Sequence, residues 1–209
     1  MQPIRHLALI AAALVLGACA KSFESDVATF HNMPAPGGKT IAVQAMDPDK
    51  QDSLEYAQYA TVVGRKLAQQ GFKLVDSTDN ADLIAGFDVT LSEGRVHIDD
   101  RGYGGGFYGG YGFGGFHGYP YWGIGPGFNR RTESETVYTA RLAMEIREPG
   151  GKMVFEGRSE AEVDSRALPE LVPLLAESLF REFPGQSGIT RQVKLKGDMV
   201  EKIQDPNAY

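Results

Sequence analysis

The chain has 209 residues, a formal net charge of −6 and 42% hydrophobic residues. That length suffices for one domain with a sizeable core, and the acidic balance argues against nucleic-acid binding, which needs a basic patch. A single cysteine excludes an internal disulfide, so the fold has to rest on apolar packing.

The first element is an N-terminal export signal. Arg5 and the free amino terminus form a short positive region, and Leu7 to Leu16 is an apolar core of ten residues. Ten is too few to span a bilayer, which takes roughly 20 apolar residues. Two small residues, Gly17 and Ala18, precede Cys19. The string Leu16-Gly17-Ala18-Cys19 resembles the lipobox of bacterial lipoproteins. The resemblance implies cleavage before Cys19, a diacylglycerol on its sulfur and a further chain of the palmitate kind on the new amino group. Several chains are needed because one myristoyl-sized chain holds a membrane only marginally. The competing reading is an ordinary secretory signal, or an N-terminal helix with an incidental cysteine. Losing residues 1–18 removes Arg5 and no acid, which takes the charge from −6 to −7. By analogy with enterobacterial sorting, Asp after the cysteine would retain the protein in the inner membrane. Ala20 and Lys21 stand there instead, which points to the outer membrane, with the periplasmic side favoured over the surface.

Residues 19–40 read as a lipidated tether, with a short strand around Val27 to Phe30. Met33 to Gly38 is turn material. Thr40 to Met46 reads as a strand. Asp52 opens a helix, with Glu55 at capping-box spacing; Tyr56, Tyr59, Ala60, Val63 and Leu67 form its apolar stripe, and Gly71 closes it. Phe72 to Val75 is a short strand. Ala81 to Ser92 alternates with Leu83, Ala85, Phe87, Val89 and Leu91 on one face. Thr136 to Arg147 and Lys152 to Val163 read as a strand pair turned by Pro149-Gly150-Gly151. Leu168 to Phe183 is a second amphipathic helix, regular from about Leu171 because of Pro169 and Pro173, and stopped by Pro184-Gly185. Gln186 to Lys196 adds a last strand, and 197–209 reads as a loose tail. The expected fold is α+β: an antiparallel sheet with two helices packed on one face and a long hairpin insert, together spanning 41–196.

The insert, 102–128, holds 13 glycines and 10 aromatics among its 27 residues. No helix or strand period is sustained across it, and glycine carries a high backbone entropy cost. Several readings stay open. It is a spacer whose aromatics touch the sheet or the membrane interface. It is an adhesive surface in which Tyr103, Tyr108, Tyr111, Tyr119, Tyr121 and Trp122 stack on sugar rings, peptidoglycan or an envelope protein. It self-associates through stacked aromatics. Or His97, Asp99, Asp100 and His117 bind zinc or nickel, although a single HxDD string is a weak signal. A phosphate-binding loop is excluded, since no GxxxxGK[ST] pattern occurs.

No catalytic constellation emerges. The one cysteine is the acylation site, no histidine has a triad-like neighbourhood, and no GxSxG elbow occurs. No cofactor is expected beyond the covalent lipid on Cys19.

Several strings together resemble bacterial lipoproteins carrying domain of unknown function 4136. They are KLAQQGFKLV before NADLIAGFDVTL, the Gly/Tyr/Trp insert, VYTARLAMEI with GGKMVFEGRSEAE, and LFREFPGQSG. The most specific parts are Gly71, Phe72, Ala81, Asp82 and Leu83, and then Phe183-Pro184-Gly185. The likeness spans roughly residues 23–195. It implies no catalytic residues, since the family's name assigns no activity. The expected role is non-catalytic binding or scaffolding in the cell envelope. The partners would be the membrane, through the lipid, and peptidoglycan or an envelope protein. The alternatives are a hydrolase of cell-wall glycan or peptide, and an accessory subunit of an envelope transport machine.

Overall fold

A computed structural model describes residues 22–33, 36–99 and 133–205. Cys19, residues 100–132 and the six proposed aromatic contacts lie outside them. Among the described residues there are eight strands: β1 (Phe23–His31), β2 (Thr40–Ala45), β3 (Lys73–Leu74), β4 (Leu83–Leu91), β5 (Arg95–Asp99), β6 (Glu133–Arg147), β7 (Met153–Val163) and β8 (Ile189–Leu195). Three α-helices accompany them among the described residues: α1 (Leu54–Gln69), α2 (Leu168–Phe180) and α3 (Gly197–Gln204). The sheet order is β3-β2-β4-β6-β7-β1-β8, with β5 paired to β6.

The α+β class holds, but the sheet is mixed rather than antiparallel. β2 runs parallel to both β3 and β4, because α1 returns the chain to the same end between β2 and β3. Alternation of apolar residues reports which face a strand buries and is silent on its direction. The N-terminal boundary also moves. The short strand expected at Val27 to Phe30 within the tether is longer, covering residues 23–31, and lies in the interior of the sheet between β7 and β8.

The helix-covered face carries the core. Leu83, Ala85 and Phe87 of β4, Ala140, Leu142, Met144 and Ile146 of β6, and Phe155 and Ala161 of β7 are all buried, as the period-two pattern requires. Tyr56, Tyr59, Val63 and Leu67 of α1 close over one half, and Leu171, Leu174, Leu175 and Leu179 of α2 over the other. Each such aliphatic side chain contributes about 1.5–3 kcal/mol on burial. Between the two helices, Lys66 pairs with Glu177 and Gln70 donates to the Phe180 carbonyl at 3.2 Å.

Three local readings are corrected. The α1 cap is Ser53, whose hydroxyl accepts from the Tyr56 amide at 3.4 Å; Glu55 instead accepts from the Tyr59 hydroxyl at 2.7 Å, so the Asp52–Glu55 capping box does not form. α2 starts at Leu168, before the prolines and not after them. Pro173 forgoes one backbone bond, and burial of the neighbouring Val172, Leu174 and Leu175 offsets it. The tail forms α3, which buries Val200 and Ile203.

The residues that carry the family resemblance are structural. Gly71 (φ +95°) takes the left-handed conformation just past α1. Asp82 accepts from the Thr40 amide at 2.8 Å and the Thr40 hydroxyl at 2.9 Å, tying β4 to β2. Phe183 packs on Phe155 at 4.9 Å, Phe180 at 5.2 Å and, edge-on, Phe72 at 6.3 Å between ring centroids.

Candidate functional site

One end of the sheet gathers the features of interest. The register pairs Phe23 with Leu195, Tyr138 with Val163 and Leu91 with Ala140. So the start of β1, the start of β6 and the ends of β4, β7 and β8 share that end. β4 and β5 run along the same edge of β6, separated by a break at Gly94 (φ +93°). A Cβ at Gly94 would lie 2.7 Å from Tyr138 Cε1, so glycine is required there by space as well as by conformation. Beyond the break, β5 and β6 continue as a two-stranded ribbon ending at the Asp99–Glu133 pair. Residues 100–132 therefore leave and rejoin the domain at adjacent points, at the end where Ser22 enters.

A groove of about 610 Å³ lies at this end. Its apolar lining comes from Phe23, Val137, Val163, Leu171, Leu174 and Val200. Among the described residues its charged lining is Glu24, Glu162, Asp164, Glu170 and Glu201, with no lysine, arginine or histidine. Arg95 lies 3.2 Å from Glu162, Lys194 pairs with Glu24, and Asp164 is engaged as well. Exposed pairs of this kind contribute little, about 0–1 kcal/mol. The groove therefore presents an apolar floor under an anionic rim.

A smaller cleft, about 190 Å³, lies at the start of α1 between Lys50, Tyr56, Tyr59, Phe87, Asp88 and Leu168. Its polar groups are mostly committed. Lys50 Nζ is 2.6 Å from Asp88 Oδ1, and that hydrogen bond raises the lysine pKa. Burial, followed by the Glu55 contact, raises the Tyr59 phenol. The Tyr56 ring stacks on Phe87 at 4.8 Å, and burial pushes its phenol up to about 12. The face of the sheet opposite the helices is charged, with Arg141 3.3 Å and Arg158 3.7 Å from Glu160.

Of the sequence-predicted site residues, His97 and Asp99 fall on β5, where their backbones pair with Glu135 and Glu133. Cys19, Tyr103, Tyr108, Tyr111, His117, Tyr119, Tyr121 and Trp122 lie outside the described residues. Among the described residues, no three His, Cys, Asp or Glu side chains are grouped to hold a metal ion. No described helix is long and apolar enough to cross a membrane. The groove was not legible in the sequence: its acids are dispersed from Glu24 to Glu201, and no local motif links them.

Residues 24–185 match the family described as "Domain of unknown function (DUF4136)". An uncharacterized protein of Zymomonas mobilis subsp. mobilis is 27% identical, over 81% of this chain and 80% of that protein. Among solved structures, a PDZ domain protein from Parabacteroides distasonis aligns with TM-score 0.43 and 14% identity. The alignment covers 90% of this chain, which spans only 42% of that one. The PelC dodecamer from Paraburkholderia phytofirmans aligns with TM-score 0.41 and 11% identity, over 78% of this chain and 99% of that one.

Proposed function

The chain belongs to the DUF4136 family, and we propose that within it this protein is a non-catalytic lipoprotein of the cell envelope. It is anchored through lipid on Cys19 at the periplasmic face of the outer membrane. It binds or scaffolds through the aromatic insert, with Tyr103, Tyr108, Tyr111, Tyr119, Tyr121 and Trp122 as contacts. One observation carries this reading: β1 begins four residues after Cys19, at the same sheet end from which the β5–β6 ribbon sends out residues 100–132. An anchor at that end holds the insert near the envelope surface, where Tyr and Trp combine large contact area with a polar tip. Peptidoglycan or an envelope protein fits as partner.

The test has two parts. Cys19→Ser should abolish incorporation of labelled palmitate and release the protein from the membrane fraction. Deleting Gly102 to Phe128 should leave the far-ultraviolet circular dichroism unchanged and reduce co-sedimentation with sacculi or envelope complexes. A deletion variant that co-sediments like the parent chain would sink the role of the insert. A hydrolase of cell-wall glycan or peptide is kept as a second reading by the five carboxylates of the groove, since glycosidases work with paired carboxyls in a cleft. It requires soluble fragments released from purified sacculi, and loss of that release in Glu162→Gln or Glu170→Gln.

A further inference from the structure

We propose that the acid-rimmed groove is the docking site for this chain's own segment 100–132, held there by its arginines. The inference goes beyond the envelope reading and does not depend on whether Cys19 carries lipid. Among the described residues the groove has five carboxylates, no base and an apolar floor. Glu170 and Glu201 have no ion-pair partner among the described residues. The occupant it fits is apolar and cationic. The segment has that chemistry: its bases are Arg101, Arg130 and Arg131 against a single acid, Asp100 at its first position, and ten aromatics lie between Arg101 and Arg130. Arginine presents a planar fork suited to carboxylates.

Connectivity adds to the complementarity. The segment rejoins β6 at Glu133, four residues before Val137, which lines the groove. Four extended residues span about 13 Å, and Arg130 and Arg131 are closer still along the chain to the ribbon's end. Covalent attachment makes docking intramolecular, so modest contacts suffice at a high effective concentration. A basic amphipathic segment of another protein would meet the same groove only by displacing this one.

Trp122 is the chain's single tryptophan, so its fluorescence reports on the segment in the full chain. The parent chain should show emission to the blue of the urea-unfolded chain and protection from acrylamide quenching. Glu170→Lys with Glu201→Lys should red-shift the emission and remove the protection. Arg130→Glu with Arg131→Glu should do the same without touching the described core, which keeps the test valid if the first pair fails to fold. Combining all four changes should restore protection by reversing both partners. Glu156→Lys, six residues along β7 from Glu162 and not part of the groove lining, should leave the signal alone. The proposal is overturned if Trp122 in the parent chain is as quenchable as in urea, if the arginine reversals leave protection intact, or if the folded four-fold variant shows no rescue.

Discussion

Gly185→Ala tests the joint that closes the helix layer onto β8. Gly185 sits at φ +78°, in the turn between α2 and β8. Placing an L side chain in the left-handed region costs about 1–2 kcal/mol. A Cβ there would also stand 2.5 Å from Arg191 Nη1 and 3.3 Å from the Glu182 carbonyl. Arg191 has little freedom to give way, because its side chain is 14% exposed and its Nε is 3.4 Å from Glu182 Oε2. Displacing that buried guanidinium adds about 1–3 kcal/mol, so the full substitution should cost about 2–5 kcal/mol. Urea denaturation followed by circular dichroism gives the value at 25 °C; each kcal/mol lowers the melting temperature by about 2–4 °C in a chain of this size. The same substitution in an Arg191→Ala background removes the collision and keeps the conformational strain, so its cost should fall to about 1–2 kcal/mol. A double-mutant cycle should therefore return a coupling of about 1 kcal/mol or more. Equal costs in the two backgrounds would refute the steric argument. A cost near zero in the parent background would refute both terms.

Three further outcomes follow from the same geometry. Ser53→Ala should lower stability by about 1 kcal/mol, as loss of an N-cap does, while Asp52→Ala should be nearly neutral; the reverse order in urea titrations would restore the capping box that the sequence suggests. The hydrogen bonds from Thr40, the amide first and the hydroxyl second, hold the Asp82 carboxyl below its ordinary value. Its contribution is therefore complete above about pH 4 and fades as the pH falls through the lower folded value. Asp82→Asn should thus be less stable than the parent at pH 7, with the gap in melting temperature closing by about pH 2; a gap that widens on acidification contradicts the sign. Gly94→Ala should open the ribbon without unfolding the domain, because the added Cβ meets Tyr138 and Thr136. Hydrogen exchange should accelerate in β5 and its β6 partners and stay slow in β7, and uniform protection would refute the break as a conformational requirement.

The sequence by itself determined the elements whose side-chain period is tied to burial. The stripe of α1, the inward positions of β4 and β6, and the glycine that closes α1 were all legible, because an amphipathic surface must turn one face to a core whatever lies across it. It also supplied the lone Cys19 behind its apolar run, and the composition of 102–128. Four things only the tertiary structure decided. The direction of β2 depends on where α1 returns the chain. Phe23 to His31 became an interior strand because β7 and β8, more than a hundred residues later, bond it on both sides. Ser53 caps α1 in place of Asp52, and the Glu55 carboxylate turns to the Tyr59 hydroxyl one turn on instead of back to the helix start. The groove exists because strand register brings Glu24, Glu162 and Val137 to one sheet end, while α2 and α3 bring Glu170 and Glu201 over it. Each of these rests on contacts between residues far apart in the chain, and a local pattern carries no record of such contacts.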